Sequence, residues 1–172
     1  HFTQHVFKQM KEKDILRFTG PLGSFFLRED GDKPMLFVAG GTGFAPIKSM
    51  IEHALHHGTT RPMALYWGAR SRADLYQSHL PELWRTLNSQ LKYVSVLSAA
   101  KPEDDWRGRT GLVHQAVLDD YGDLSGYQVY VCGAPVMVDA ARHDFIALRN
   151  LPPEEFFADS FSFAADSATT ED

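Results

Sequence analysis

The chain has 172 residues, 44% hydrophobic and 23% charged, with a formal net charge of −5 at pH 7. This is the composition of a globular protein, long enough for one domain or one domain plus a fragment, and its acidic balance excludes a nucleic-acid surface as the main function. A single cysteine, Cys132, excludes an internal disulfide and an iron–sulfur cluster held by this chain alone, and no apolar run approaches the ~20 residues that span a bilayer.

Residues 1–19 carry a short helical pattern with Val6, Phe7 and Met10 on one face. Ile15, Leu16 and Phe18 read as a strand, Gly20-Pro21-Leu22-Gly23 as a turn, and residues 24–27 as a returning strand. Such a pair is too small to form a core. The polar stretch 28–33 marks a boundary. Residues 35–39 are an apolar run of strand length, as for a central parallel strand covered on both faces. Gly40-Gly41-Thr42-Gly43 then forms a turn, and Pro46 suits the first turn of a following helix. Ile47, Met50, Ile51, Ala54 and Leu55 have helical spacing, closed by His56-His57-Gly58.

Beyond this, residues 63–67, 91–97, 128–132 and 156–161 read as strands. Residues 75–87 (with a break at Pro81), 112–118 and 135–150 read as helices, and 99–111 as a loop. The alternation predicts an α/β fold, a doubly wound parallel five-stranded sheet. The expected organisation is residues 1–32 apart from a nucleotide-type domain at 33–162, then a disordered tail at 163–172.

Ligands of such sheets bind outside the carboxyl ends of the strands, so the turns at 40–43, 68–72 and 132–135 are expected to converge. The first is not a P-loop, since no Gly-Lys-Ser/Thr follows. It also matches the G-x-G-x-x-G/A fingerprint poorly, because Pro46 takes the third glycine's place. A helix starting there offers free N–H groups and a positive dipole end to a phosphate. At the end of the second strand, Arg70, Ser71, Arg72 and Tyr76 are candidates to read an adenosine ribose. Arginines allow the extra phosphate of NADP, whereas an acid, here Asp74, favours NAD. A solvated basic loop is the plain alternative, as it is for Arg107 and Arg109. His53 and His57 lie one helical turn apart, but no third ligand is evident and no metal site is expected.

Three segments together resemble the ferredoxin–NADP reductase superfamily: Gly40-Gly41-Thr42-Gly43-Phe44-Ala45-Pro46, Val131-Cys132-Gly133-Ala134-Pro135-Val136-Met137 and Asp159-Ser160-Phe161. Gly20-Pro21-Leu22-Gly23-Ser24-Phe25 and Trp106-Arg107-Gly108-Arg109-Thr110-Gly111 look most like the NAD(P)H-flavin reductases and CDP-6-deoxy-glucoseen reductases within it. The resemblance implies a flavin-binding barrel followed by a pyridine-nucleotide domain. Hydride would pass from nicotinamide to flavin (FAD), and electrons onward to a [2Fe–2S] centre in a separate ferredoxin-type domain or a dehydrase partner. The family's Arg-x-Tyr-Ser/Thr flavin motif is missing, so residues 1–32 are expected to be a barrel remnant, and FAD binding to need the missing portion. Thr3 would match the residue bound to the flavin pyrophosphate.

By the same resemblance, Thr42 and Cys132 lie near the nicotinamide and Asp159 and Phe161 in the hydride-transfer region. Gly40, Gly41, Gly43, Gly133, Pro135 and Met137 form the coenzyme cradle. The plain alternatives are a local backbone bond for Thr42, a buried inert thiol for Cys132 and a core role for Phe161. A free flavin reductase and a non-catalytic nucleotide-binding module are the other functional readings. A cytoplasmic location is expected, without membrane or nucleic-acid partners.

Overall fold

The computed structural model describes residues 2–20 and 22–161. Its strands, in chain order, are β1 (Met35–Gly40), β2 (Met63–Ala69), β3 (Leu91–Leu97), β4 (Arg109–Thr110), β5 (Gln128–Gly133) and β6 (Phe156–Ser160). Its helices are α1 (Phe2–Lys8), α2 (Phe44–His56), α3 (His79–Leu87), α4 (Val113–Asp120) and α5 (Pro135–Arg149). The strands form one six-stranded sheet in the order β4-β3-β2-β1-β5-β6, with every pairing parallel.

The pattern of apolar residues explains the layering. Residues 35–39 of β1 and the whole of β5 are buried, as strands covered on both faces must be. Alternate side chains then serve opposite layers. Phe37, Ala39 and Leu65 pack with Ile47 and Ile51 of α2 and Trp84 of α3. Leu36, Val38 and Val131 pack with Val117 of α4 and with Ala141 and Phe145 of α5. The chain builds outward from β1 through β2 and β3 to β4, then returns to place β5 on the other side of β1. That reversal opens a crevice at the carboxyl end of β1, where open α/β sheets bind ligands.

Several sequence expectations change. The sheet has six strands rather than five, because the expected loop at 99–111 contains β4, a two-residue edge strand paired to Val96 and Leu97. Two residues carry no periodicity to read. The expected helix at 75–87 starts only at His79, and Pro81 sits in its first turn, where its missing N–H is no loss. Neither strand expected at 15–18 and 24–27 forms. Ile15 is 97% exposed and Phe18 88%, and among the described residues no surface covers the apolar face that a hairpin there would need to bury.

The packed unit begins before β1. Phe25 and Leu27 lie against the α2-side core. The Arg61 guanidinium donates to the carbonyls of Arg28 and Lys33 and to Gln128 Oε1 at 2.9, 2.7 and 2.6 Å, and so stitches the 28–33 stretch beneath the sheet. The expected tail at 163–172 lies outside the described residues, as does the side chain of Thr3, whose backbone is in α1. Among the described residues, no helix is long and apolar enough to cross a membrane.

Candidate functional site

Parallel register brings the strand ends together. Gly40 lies opposite Gly68, and Ala39 opposite Cys132. The glycine-rich turn that follows β1 is held in place mainly by neighbouring protein. A Cβ at Gly43 would stand 2.1 Å from the Cys132 carbonyl oxygen, and one at Gly40 2.8 Å from the Met137 sulfur. One at Gly68 would meet Val113 Cβ at 2.7 Å. These three glycines let turns and helices close on one another. Gly41 differs: its φ is +52°, a conformation that favours glycine, and open space lies where its side chain would be. Its carbonyl accepts a 3.0 Å bond from the indole N–H of Trp67, which is fully buried and stacked on Phe44. The residue before the turn's tip is therefore pinned from beneath by β2.

Above this floor lies a cleft of about 640 Å³. Gly40, Gly41 and Thr42 form one edge, Arg70, Asp74 and Tyr76 a second, and Val136 and Met137 a third. Tyr76 keeps its place by edge-on contacts to Trp67 and Phe44, at 5.4 and 6.0 Å between ring centroids. Three helical segments begin at the cleft: the turn into α2, α4 and α5. None has a side chain bonded across its first N–H groups. Free N–H donors and the positive ends of the α4 and α5 dipoles thus face one space, which suits a phosphate-bearing ligand.

The expected residues divide. Gly40, Gly41, Thr42, Arg70, Tyr76 and Met137 line the cleft. Ser71 serves its own turn: its N–H and hydroxyl both donate to Asp74 Oδ2 at 2.9 Å. Arg72 turns away, its backbone N–H donating to Asp104 Oδ1 at 3.2 Å and its guanidinium to the Asp104 carbonyl at 3.1 Å. Gly43 and Gly133 are buried in the turn–turn contact, and Pro135 opens α5.

Cys132 does not reach the cleft surface. It is fully buried in the α2-side core, and burial, reinforced by the Asp159 charge, pushes its thiol up to about 12. That supports an inert thiol under these surroundings. Asp159 lies opposite it on β6, exposed to solvent. Phe161 donates its N–H to the Gly133 carbonyl at 3.0 Å and packs half-buried against the same core.

A fourth side of the cleft was not anticipated from the sequence. Ser98, at the end of β3, and Gly111 to His114, at the start of α4, line the cleft. The available signal was Gly111, with φ +109°, standing directly before an apolar helix. His114 is buried, its Nδ1 without a hydrogen-bond partner among the described residues and its Nε2 3.6 Å from Asp144 of α5. Burial lowers its pKa below the ordinary histidine value against the opposing Asp144 charge. Among the described residues no group of His, Cys, Asp and Glu is arranged to hold a metal ion; His53 instead meets Glu29 at 2.6 Å.

Comparison with known proteins places this geometry. The family model for the oxidoreductase NAD-binding domain matches residues 37–143. The chain is 43% identical over 157 residues to Protein RfbI of Salmonella typhimurium, covering 91% of this chain and 46% of that protein. It is 42% identical over 160 residues to the CDP-6-deoxy-L-threo-D-glycero-4-hexulose-3-dehydrase reductase of Yersinia pestis, covering 93% of this chain and 47% of the reductase. Among solved structures it resembles the Amycolatopsis cytochrome P450 reductase GcoB, with a TM-score of 0.77 and 32% identity over 85% of this chain and 44% of GcoB. The chain spans about half the length of these curated relatives.

Proposed function

The chain belongs to the oxidoreductase NAD-binding domain family, as the match over residues 37–143 shows, and from that premise we propose that it is the pyridine-nucleotide module of a flavin-dependent NAD(P)H reductase. One observation carries the reading. The N-termini of α4 and α5, without side-chain caps, and the open Gly41 turn converge on one cleft at the sheet's switch point. The dinucleotide pyrophosphate would take the free N–H donors. Tyr76, already braced by two aromatic rings, would face the adenosine, with Arg70 and Asp74 beside it.

The nicotinamide would reach toward Thr42 and the β5 end. There the Thr42 hydroxyl would position the ring amide, and the buried Cys132 would give a dry floor. Asp159 and Phe161 would border the acceptor side. The residues present fit a flavin on that border only: Gly133, Asp159 and the half-buried Phe161 offer one edge, while Phe18, Leu22 and Phe26 stand exposed in the segment ahead of β1. A flavin held largely by a further portion of a longer chain would supply the hydride acceptor and single-electron release. The relative named as a dehydrase reductase supports an electron-transfer role toward a dehydrase-type partner.

Calorimetric titration of NADH and NADPH into the chain tests this directly. Saturable one-to-one binding of at least one coenzyme, weakened by Arg70→Ala, is the expected result. Failure of both to bind at millimolar concentration would remove the reading.

A further inference from the structure

Which coenzyme the cleft takes is decided where β2 ends, and the decision involves a loop distant in sequence. Two arginines and one acid stand there. Asp74 lines the cleft, and its carboxylate is held rigid by the Ser71 N–H and hydroxyl, both at 2.9 Å. A carboxylate only accepts hydrogen bonds, so it matches a ribose 2′-hydroxyl and repels a 2′-phosphate. Arg70 also lines the cleft and can serve either coenzyme. Arg72 would tip the balance toward the phosphate, but its guanidinium is occupied by the Asp104 carbonyl at 3.1 Å. The Asp104 carboxylate completes the hold. It accepts the Arg72 backbone N–H at 3.2 Å through one oxygen and the Lys101 N–H at 2.9 Å through the other. The turn Pro102–Asp104 is thereby closed on itself and tied to the β2–α3 connection at once.

Resting on the nucleotide-module reading, we infer that the cleft is set for the unphosphorylated coenzyme, NADH, and that Asp104 is a specificity-determining residue that acts by latching Arg72 outside the phosphate subsite. Asp74 supplies the attraction for the 2′-hydroxyl. Asp104, which touches no coenzyme, withholds the second guanidinium that a 2′-phosphate would require.

The test is fluorescence titration of the whole chain with NADH and NADPH. It compares the native protein with Arg72→Ala, Asp104→Ala, the double variant Asp104→Ala/Arg72→Ala, and Asp74→Ser. The native protein is expected to prefer NADH. Arg72→Ala leaves the preference ratio unchanged, because Arg72 is already withdrawn. Asp104→Ala keeps the carbonyl but cuts the carboxylate ties that fix it against Arg72, so the guanidinium is released, NADPH tightens and the ratio narrows by about fivefold, the upper scale of one exposed charged contact. The double variant returns the ratio to the native value, and Asp74→Ser narrows it independently. Native preference for NADPH, selective loss of NADPH binding in Arg72→Ala, or equal narrowing in Asp104→Ala and the double variant would each overturn the latch. Arg72→Ala leaves the Asp104 turn's own bonds intact, so the proposal stays open to refutation even if Asp104→Ala unravels that turn. Binding of both coenzymes with an immovable ratio defeats the latch alone, whereas binding of neither defeats the nucleotide-module reading with it.

Discussion

Gly43→Ala separates two explanations of the glycine-rich turn. Gly43 has φ −59° and ψ −11°, a helical conformation open to any residue, so on backbone grounds alanine would stabilise the start of α2 by up to about 1 kcal/mol. Packing predicts the opposite sign. The new Cβ would stand 2.1 Å from the Cys132 carbonyl oxygen, 2.5 Å from its carbon and 2.9 Å from the Gly133 nitrogen. Carbon–oxygen contacts settle near about 3.3 Å, so the turn and the β5 end must part by about 1 Å. All three atoms are backbone of a buried strand, with no side chain to rotate aside. Overpacking of this kind costs about 1–3 kcal/mol, and net destabilisation of about 2 kcal/mol lowers Tm by about 4–8 °C in a domain of this size. Scanning calorimetry reads the shift, and NADH titration reads the accompanying loss of affinity. Gly41→Ala is the companion variant: its Cβ meets open space, so only the left-handed φ of +52° is penalised, by about 1 kcal/mol. A Tm for Gly43→Ala equal to or above the native value would refute the contact-based account of this turn.

Three further outcomes are expected. Trp67→Phe removes one of the two donors on the Gly41 carbonyl and leaves it the Phe44 N–H alone, so stability should fall by about 1 kcal/mol and NADH affinity should fall with it; unchanged affinity would show that the turn holds its shape unaided. With its thiol pushed up to about 12 and buried, Cys132 should ignore a disulfide reagent at pH 8 in the native protein and react fully in guanidinium; rapid native labelling would contradict its burial. His114 has a folded pKa below its ordinary value, so between the two values the unfolded chain binds the extra proton. Its contribution is present above about pH 6.5 and is lost as pH falls through the folded value. Tm measured from pH 8 down to pH 5 should therefore decline less steeply in His114→Gln than in the native protein, and parallel curves would exclude this role.

Much of the architecture was legible because it is local. The apolar runs at 35–39 and 128–132 could only be strands buried on both faces, and the glycines and prolines after them mark turns into helices. Convergence at the switch point then follows from parallel pairing. The lining of the candidate cleft was legible in part for the same reason: Thr42, Arg70, Tyr76 and Met137 follow strand ends that lie side by side. The hairpin expected at 15–18 and 24–27 failed because alternation records only that apolar residues are present. It does not show that a partner surface exists to cover them.

By itself the sequence determined the alternation of strands and helices, the parallel sheet and the placing of bare backbone at three of its strand ends. Periodicity and turn chemistry act within a few residues of each other. Tertiary structure alone decided that Gly43 makes room for the Cys132 carbonyl, that Arg72 answers to Asp104 across 32 positions, that α4 forms a fourth wall and that Cys132 lies beneath the cleft surface. Each of those outcomes depends on which distant group arrives against a side chain. A residue's own chemistry lists the partners it can accept, and the packing of remote segments selects one of them.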